Sequence, residues 1–312
     1  WYTVGDFSWP WLILGNGFSH EVWAVQWYEY TGVFGGTLWV LLSNILIFEA
    51  LRTRSARRWI AAACIVIVPM AVSLAIRGSW KQPGEGAVAV SVIQPNVDCY
   101  DKFHGDVQRQ ERNIADLLAE VPAGAQFILL PETAAPRHYW EPGLTETRLG
   151  SEPGAFWQEL ADTLRSSHPQ ALLVTGAFTN RYYAAGLQPR TAVGNPYGDG
   201  GYYDDFNTAV GLDSAGRTQL HHKGKLVIGV ENTPTVIFDL MQFLVIDLGG
   251  VVGQIGMGQH GTAFTHDGMR MGPAICYEGL YGDFFGDFVR RGAQFMAIIS
   301  NDGWWGDTPG YK

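Results

Sequence analysis

Three side chains in this 312-residue sequence are of types that together could make and break an acyl bond. They are Glu132 in FILLPET, Lys223 in LHHKGKL and Cys276 in GPAICYEGLYGDFF. A cysteine attacks a carbonyl as thiolate, so it needs a base within hydrogen-bond reach and a cation that favours negative charge. A glutamate with raised pKa can take the thiol proton and return it to a leaving group. An ammonium can hold the oxyanion of the tetrahedral intermediate, together with a backbone N–H beside the nucleophile. The set implies acyl transfer through a thioester. Singly, each residue has a structural alternative: Glu132 a helix cap, Lys223 a solvated lysine in a polar turn, Cys276 buried filler.

The remaining cysteines, Cys64 and Cys99, are remote in sequence from Cys276 and from each other. No disulfide framework and no C-x-x-C pair follows, so no metal site or other cofactor is expected. Cys64 lies in AAACIVIV, where a small thiol fills apolar space. A formal charge of −9 without a basic face excludes a nucleic-acid partner.

The reactive residues must be carried by elements. AVAVSVIQPN, AQFILLPET, ALLVTGAFT, YYDDFNTAVGLD, MRMGPAICYE and QFMAIISNDGWWGD read as strands, and VQRQERNIADLLAEV as an amphipathic helix. Strands alternating with helices favour an α/β domain that presents reactive groups at strand ends.

Ahead of that domain the chain is of another character. WIAAACIVIVPMAVSLAI, residues 59–76, has no charge over 18 positions, enough at about 1.5 Å each for most of a hydrocarbon core. GVFGGTLWVLLSNILIFEAL, residues 32–51, is apolar over a similar length, with Glu49 near its end. Two transmembrane helices over 32–76 are therefore expected, the alternative being a buried hairpin. RTRSARR, residues 52–58, holds four arginines and belongs in the cytoplasm, which puts both outer flanks on the other side. Residues 1–31, rich in tryptophan and tyrosine, suit a membrane-interface loop, and 77–86 read as a linker. Residues 87–312 form the expected catalytic domain.

On these motifs the chain resembles the nitrilase superfamily and, more closely, its membrane-bound branch, the apolipoprotein N-acyltransferases. LLPETA, HHKGKLVIGVENTP, CYEG and NDGWWGDTPG resemble its glutamate, lysine, cysteine and asparagine-aspartate-tryptophan motifs in order, and SWPWLILGNGF and VQWYEYTGVFGG resemble its upstream loop and helix. The resemblance implies a nitrilase-like α-β-β-α sandwich following transmembrane helices, with Glu132, Lys223 and Cys276 as the triad. Glu231, Tyr277, Glu278, Phe103, Asn301 and Trp304 are then support or substrate-binding residues, with Glu231 or Glu278 holding the Lys223 ammonium. Two departures stand out: Ile228, Gly229 and Val230 replace a Pro-Phe-Gly run, and Phe103 stands where many members have tryptophan. The implied reaction moves an acyl chain from a phospholipid of the phosphatidylethanolamine type to the α-amino group of an apolipoprotein's diacylglyceryl-cysteine. The expected setting is the bacterial inner membrane, with the catalytic domain on its periplasmic face and the enzyme a monomer. Members have further segments on both sides, so an internal fragment is expected, its catalytic domain incomplete at the C-terminus. A membrane-anchored amidase acting on small amides is the alternative with an identical triad.

One more segment bears on a lipid substrate. In TVIFDLMQFLVIDLGGVVGQIG, Ile237, Leu240, Met241, Leu244, Val245 and Leu248 recur at helical spacing. A membrane-facing arm over about 234–260, hinged at glycines that include Gly256 and Gly258, is one reading, and a core-packed helix is the other.

Overall fold

Strand-forming runs after residue 87 assemble into two sheets in the computed structural model, which describes residues 10–80, 87–141, 152–189, 191–194, 201–228, 230–232 and 255–306. The first sheet contains β1 (Val90–Val92), β2 (Phe127–Leu129), β3 (Tyr139–Trp140), β4 (Leu172–Tyr183), β5 (Val193–Gly194), β6 (Tyr202–Leu212) and β7 (Thr218–His222). Its order is β1-β2-β4-β6-β5, with β3 beside β4 and β7 beside β6. β1, β2 and β4 run parallel, and β6 lies antiparallel to β4, β5 and β7. The second sheet has β8 (Phe264–His266), β9 (Met269–Ile275) and β10 (Phe295–Ile299), in the order β10-β9-β8. Asp267 and Gly268 join β8 to β9 with φ of 47° and 74°, the paired positive values of a tight hairpin turn.

The sheets pack face to face. Phe127, Leu172, Val174 and Ala209 meet Phe264, Met271, Ile275, Ala297 and Ile299 in one buried cluster. Helices cover the outer faces. In α3 (Val107–Ala119), Gln110, Ile114 and Leu118 recur every fourth residue and are buried, and Asp106 caps the helix by accepting the Arg109 N–H at 3.1 Å. Ile114 and Leu118, with Trp157, Leu160 and Leu164 of α4 (Glu152–Ser167), pack on Ile128, Leu173 and Val210. Phe284 and Phe288 of α5 (Gly282–Arg290) pack with Ala274, Tyr277 and Tyr281 behind the second sheet. The layers are α-β-β-α, the sandwich that the resemblance implied.

Residues 1–87 form a separate unit from 88–311. Three short turns, Pro10–Leu12, Leu14–Phe18 and Val22–Ala24, precede α1 (Tyr28–Thr53) and α2 (Ala56–Ser79). Both helices exceed the apolar runs that define them, because Glu29, Arg52, Arg57 and Arg58 are compatible with helix ends. The arginine-rich connection shrinks to Arg54 and Ser55, with Arg54 left-handed at φ 53° and Glu49 accepting from Arg52 and Arg58 at 2.8 and 2.6 Å. α1 is interrupted at Gly32, where φ is 64°, and its apolar stretch beyond that break and the 24 residues of α2, at about 1.5 Å each, are long enough to cross a membrane. Apolar side chains such as Ile45, Phe48, Ile60 and Ile67 remain exposed along them, a surface that water does not favour.

The helix pair is pinned by polar contacts. Pro69 removes the N–H that would bond the Ile65 carbonyl, and the Trp39 indole N–H donates to that carbonyl at 2.6 Å. Ser73, fully buried, donates to the Ala24 carbonyl at 2.7 Å. Gly15 lies so near α1 that a Cβ there would sit 2.1 Å from the Val33 carbonyl oxygen.

Candidate active site

Each of the three reactive residues follows the last residues of a strand. Beyond β2, the Leu130 N–H bonds the Val174 carbonyl and the Gly176 N–H bonds the Pro131 carbonyl, so the chain stays clamped to β4 as it delivers Glu132. Gly176 makes this approach possible, since a Cβ there would meet the Thr133 nitrogen at 2.3 Å and the Glu132 Cα at 2.6 Å. Lys223 directly follows β7, its N–H bonded to the Asn207 carbonyl at 2.8 Å. Cys276 directly follows β9 with φ 45°, a left-handed conformation costing a side-chain-bearing residue about 1–2 kcal/mol.

Residues from these strand ends meet in one polar cluster. Lys223, 1% exposed, donates to Glu132 Oε1 at 2.8 Å and to Glu231 at 2.9 Å. Asn207 on β6 donates to the same two carboxylates, at 2.8 Å to Glu132 and 2.7 Å to Glu231. The Val227 N–H fixes the other Glu231 oxygen at 2.9 Å. The Cys276 thiol lies close enough to Glu132, Lys223 and Ser300 for each to act on its ionisation.

Burial opposes the Lys223 charge, but the Glu132 and Glu231 carboxylates outweigh it and hold the ammonium's pKa above its ordinary value. Burial also opposes ionised Glu132, yet Lys223 and Asn207 pull its pKa below the usual carboxylate range. The raised glutamate pKa expected of a base is therefore not what the site holds: Glu132 is kept ionised by its partners. Burial pushes the Cys276 thiol up to about 12, and the Glu132 charge adds to this against the pull of Lys223 and Ser300. The resting arrangement sets a protonated thiol beside an ionised carboxylate.

The supporting residues separate into distinct roles. Glu231 holds the Lys223 ammonium. Glu278, the alternative holder of that ammonium, instead accepts the backbone N–H groups of Ile275 and Gly224, each at 2.6 Å. Tyr277 is buried with its ring 5.2 Å from the Tyr281 ring, edge to face. Asn301 caps the Asp302–Trp305 turn by accepting the Gly303 N–H at 3.2 Å. Phe103 ends the Asp101–Phe103 turn, and Trp304 lies within the later one; their side chains lie outside the described residues. Lys225 places its ammonium 4.9 Å from the Tyr281 ring centroid and 5.6 Å from that of Phe284.

Residues 233–254, most of the expected arm, lie outside the described residues. Its last part is stitched to the sheet, with the Gly256 N–H on the Asp205 carbonyl at 2.7 Å and the Gly258 N–H on the Lys223 carbonyl at 2.9 Å. Gly256 and Gly258 are sites of close approach and not hinges: a Cβ would lie 2.3 Å from the Phe206 ring in one case and 2.2 Å from the His222 carbonyl oxygen in the other.

Two residues escaped sequence reasoning. Asn207, in a strand that reads as apolar alternation, bridges both carboxylates. Lys102 donates to the Thr133 hydroxyl and lies within electrostatic reach of Glu132, Lys223 and Cys276. Burial lowers its pKa. Its position one residue before Phe103, in the loop after the first strand, was the available signal.

A profile of the carbon-nitrogen hydrolase family matches residues 89–312. Curated relatives extend across both units. The chain is 27% identical to an apolipoprotein N-acyltransferase of Chlorobaculum tepidum over 99% of its own length and 58% of the relative's. It is 24% identical to that of Geobacter metallireducens, over 95% of the chain and 53% of the relative, and 28% identical to that of Allorhizobium ampelinum, over 96% and 53%. The chain thus spans about half the length of the curated relatives it matches. Among solved structures, an amidase from Nesterenkonia sp. aligns with a TM-score of 0.42 at 16% identity, covering 68% of this chain and 64% of the amidase. Matched from its first strand onward, the chain belongs to the carbon-nitrogen hydrolase family.

Proposed function

We propose that this chain is the part of an apolipoprotein N-acyltransferase that carries the catalytic machinery, with Glu132, Lys223 and Cys276 as its triad. The observation that carries the reading is the joint coverage of the apolar helix pair and the hydrolase domain by relatives of that name. In the first half-reaction the Cys276 thiol gives its proton to Glu132 while sulfur attacks the ester carbonyl of a phospholipid, of the phosphatidylethanolamine type. Lys223 and a backbone N–H beside Cys276 stabilise the oxyanion. Collapse breaks the ester C–O bond, Glu132 returns the proton to the departing lysophospholipid oxygen, and a thioester remains. In the second, the α-amino group of an apolipoprotein's diacylglyceryl-cysteine attacks the thioester. Its proton passes through Glu132 to the departing sulfur, and an amide forms.

α1 and α2 supply the setting for such substrates. Four arginines around the Arg54–Ser55 turn favour its retention in the cytoplasm, and both outer helix ends then face the periplasmic side of the inner membrane. An enzyme held at the membrane meets lipid-anchored substrates at high effective concentration. Incubation of the chain with phosphatidylethanolamine vesicles, beside a parallel reaction with a small amide, tests the reading. An acyl mass increment on the Cys276 peptide supports it. Ammonia release from the amide with no increment from lipid would replace it with the amidase reading.

A further inference from the structure

His221 and Glu278 are both fully buried, outside the Lys223 carboxylate cluster, and paired through Nε2 at 3.1 Å to Oε1 and 3.0 Å to Oε2. The Thr262 N–H donates to His221 Nδ1 at 3.3 Å, which leaves Nε2 as the nitrogen that carries hydrogen toward Glu278. Glu278 then accepts three donors: His221 Nε2–H, the Gly224 N–H and the Ile275 N–H. These attachments have a pattern. His221 and Gly224 flank Lys223 in sequence, while Ile275 immediately precedes Cys276 and Glu278 lies two residues after it. One carboxylate, itself two residues past the cysteine, therefore ties the His221 side chain and the Gly224 backbone, on either side of the lysine, to the Ile275 backbone just before the cysteine. The imidazole packs 4.8 Å from the Phe288 ring, which seals the pair under α5.

From this geometry we infer that His221 is a positioning residue, orienting Glu278 as a buried post that sets the spacing and aim of Lys223 and Cys276. Without the Nε2–H donor, Glu278 keeps only two backbone partners and gains freedom to rotate. The left-handed Cys276 backbone, which costs energy to maintain, then loses part of what holds it. A buried acceptor that has lost a partner also becomes a source of disorder at the site. The role rests on the reading of Cys276 as nucleophile.

Three variants of the full chain test it. His221→Phe keeps a ring against Phe288 and loses both nitrogens, His221→Asn keeps an amide too short to reach Glu278, and His221→Gln places an amide N–H near the original Nε2. Alkylation of Cys276 by iodoacetamide is followed across pH by mass spectrometry of its peptide, with folding checked by circular dichroism. The Phe and Asn variants should alkylate about 10- to 100-fold more slowly at pH 8, the range expected from misplacing a reactive group by an ångström, with rates that climb with pH where the parent's stays flat. The Gln variant should regain the parent profile. Folded Phe and Asn variants with parent profiles would overturn the inference. Loss of fold in both would also overturn it, by making the pair a requirement of the core. Phospholipid acylation is measured beside alkylation. A parent chain that alkylates but takes no acyl group counts against the acyltransferase reading and leaves the His221 result standing.

Discussion

At the scale of single residues, the electrostatics of the site determine how its rate should respond to pH. Glu132, with its pKa held down, stays ionised well below neutrality, and Cys276 stays protonated until about 12. Thioester formation in the parent should therefore vary little between about pH 6 and 9, because neither partner titrates there. Glu132→Gln removes the base, so reaction must await preformed thiolate. Its rate should fall at least roughly 10²-fold at pH 7 and then climb about tenfold per pH unit, as measured by acyl adduct formation. A flat profile in this variant would remove Glu132 as the base. Lys223→Met should cost a similar factor, and it also strands two carboxylates that share Asn207. Unfolding should be easier by about 3–5 kcal/mol, since a buried charge has lost its partner. Lys225→Met loses the contacts with the Tyr281 and Phe284 rings, and should cost about 0.5–1 kcal/mol through them while leaving the acylation rate near parent. Because the Glu132 pKa is lower in the folded state, its pairing stabilises the fold above its unfolded value near 4.5 and is lost as acid takes the pH below that.

Among the elements, two contacts carry more than their size suggests. The first is the Trp39 bond to the Ile65 carbonyl that Pro69 leaves without its helical donor. Trp39→Phe should destabilise the α1–α2 hairpin by about 0.6–2 kcal/mol in detergent unfolding experiments. The same substitution should cost less in a Pro69→Ala background, where residue 69 again offers an N–H to Ile65. Equal costs in both backgrounds would show that the indole does not serve this carbonyl. The second is the approach of β4 to the Glu132 segment at Gly176. Gly176→Ala should push that segment away and cost about 1–3 kcal/mol. Acylation should fall with it, since Glu132 must stay within hydrogen-bond reach of the thiol.

On the scale of the whole molecule, the proposed orientation is open to a labelling test. In a chain whose own cysteines are replaced by serine, Ser55→Cys should be shielded from a membrane-impermeant maleimide in intact spheroplasts and labelled in inverted vesicles. Labelling from the outside would place the arginine turn in the periplasm and reverse the orientation.

The amino-acid sequence by itself determined the reactive residue types, their placement at strand ends and the two long apolar helices. Each of these is a local property of composition and periodicity, and Glu132, Lys223 and Cys276 could be picked out because apolar runs end beside them. Partner choice required the tertiary structure. Asn207 reaches Glu132 across 75 residues, Lys223 reaches it across 91, and His221 meets Glu278 across 57. Periodicity reports which face of a strand is buried and is silent on what that face meets. Thus Glu231 and Glu278 were both credible holders of the ammonium, until folding brought one to Lys223 and the other to the backbone around Cys276. The pKa of Glu132 was decided in the same way: burial alone would have raised it, and a lysine and an asparagine delivered by β7 and β6 reversed the sign.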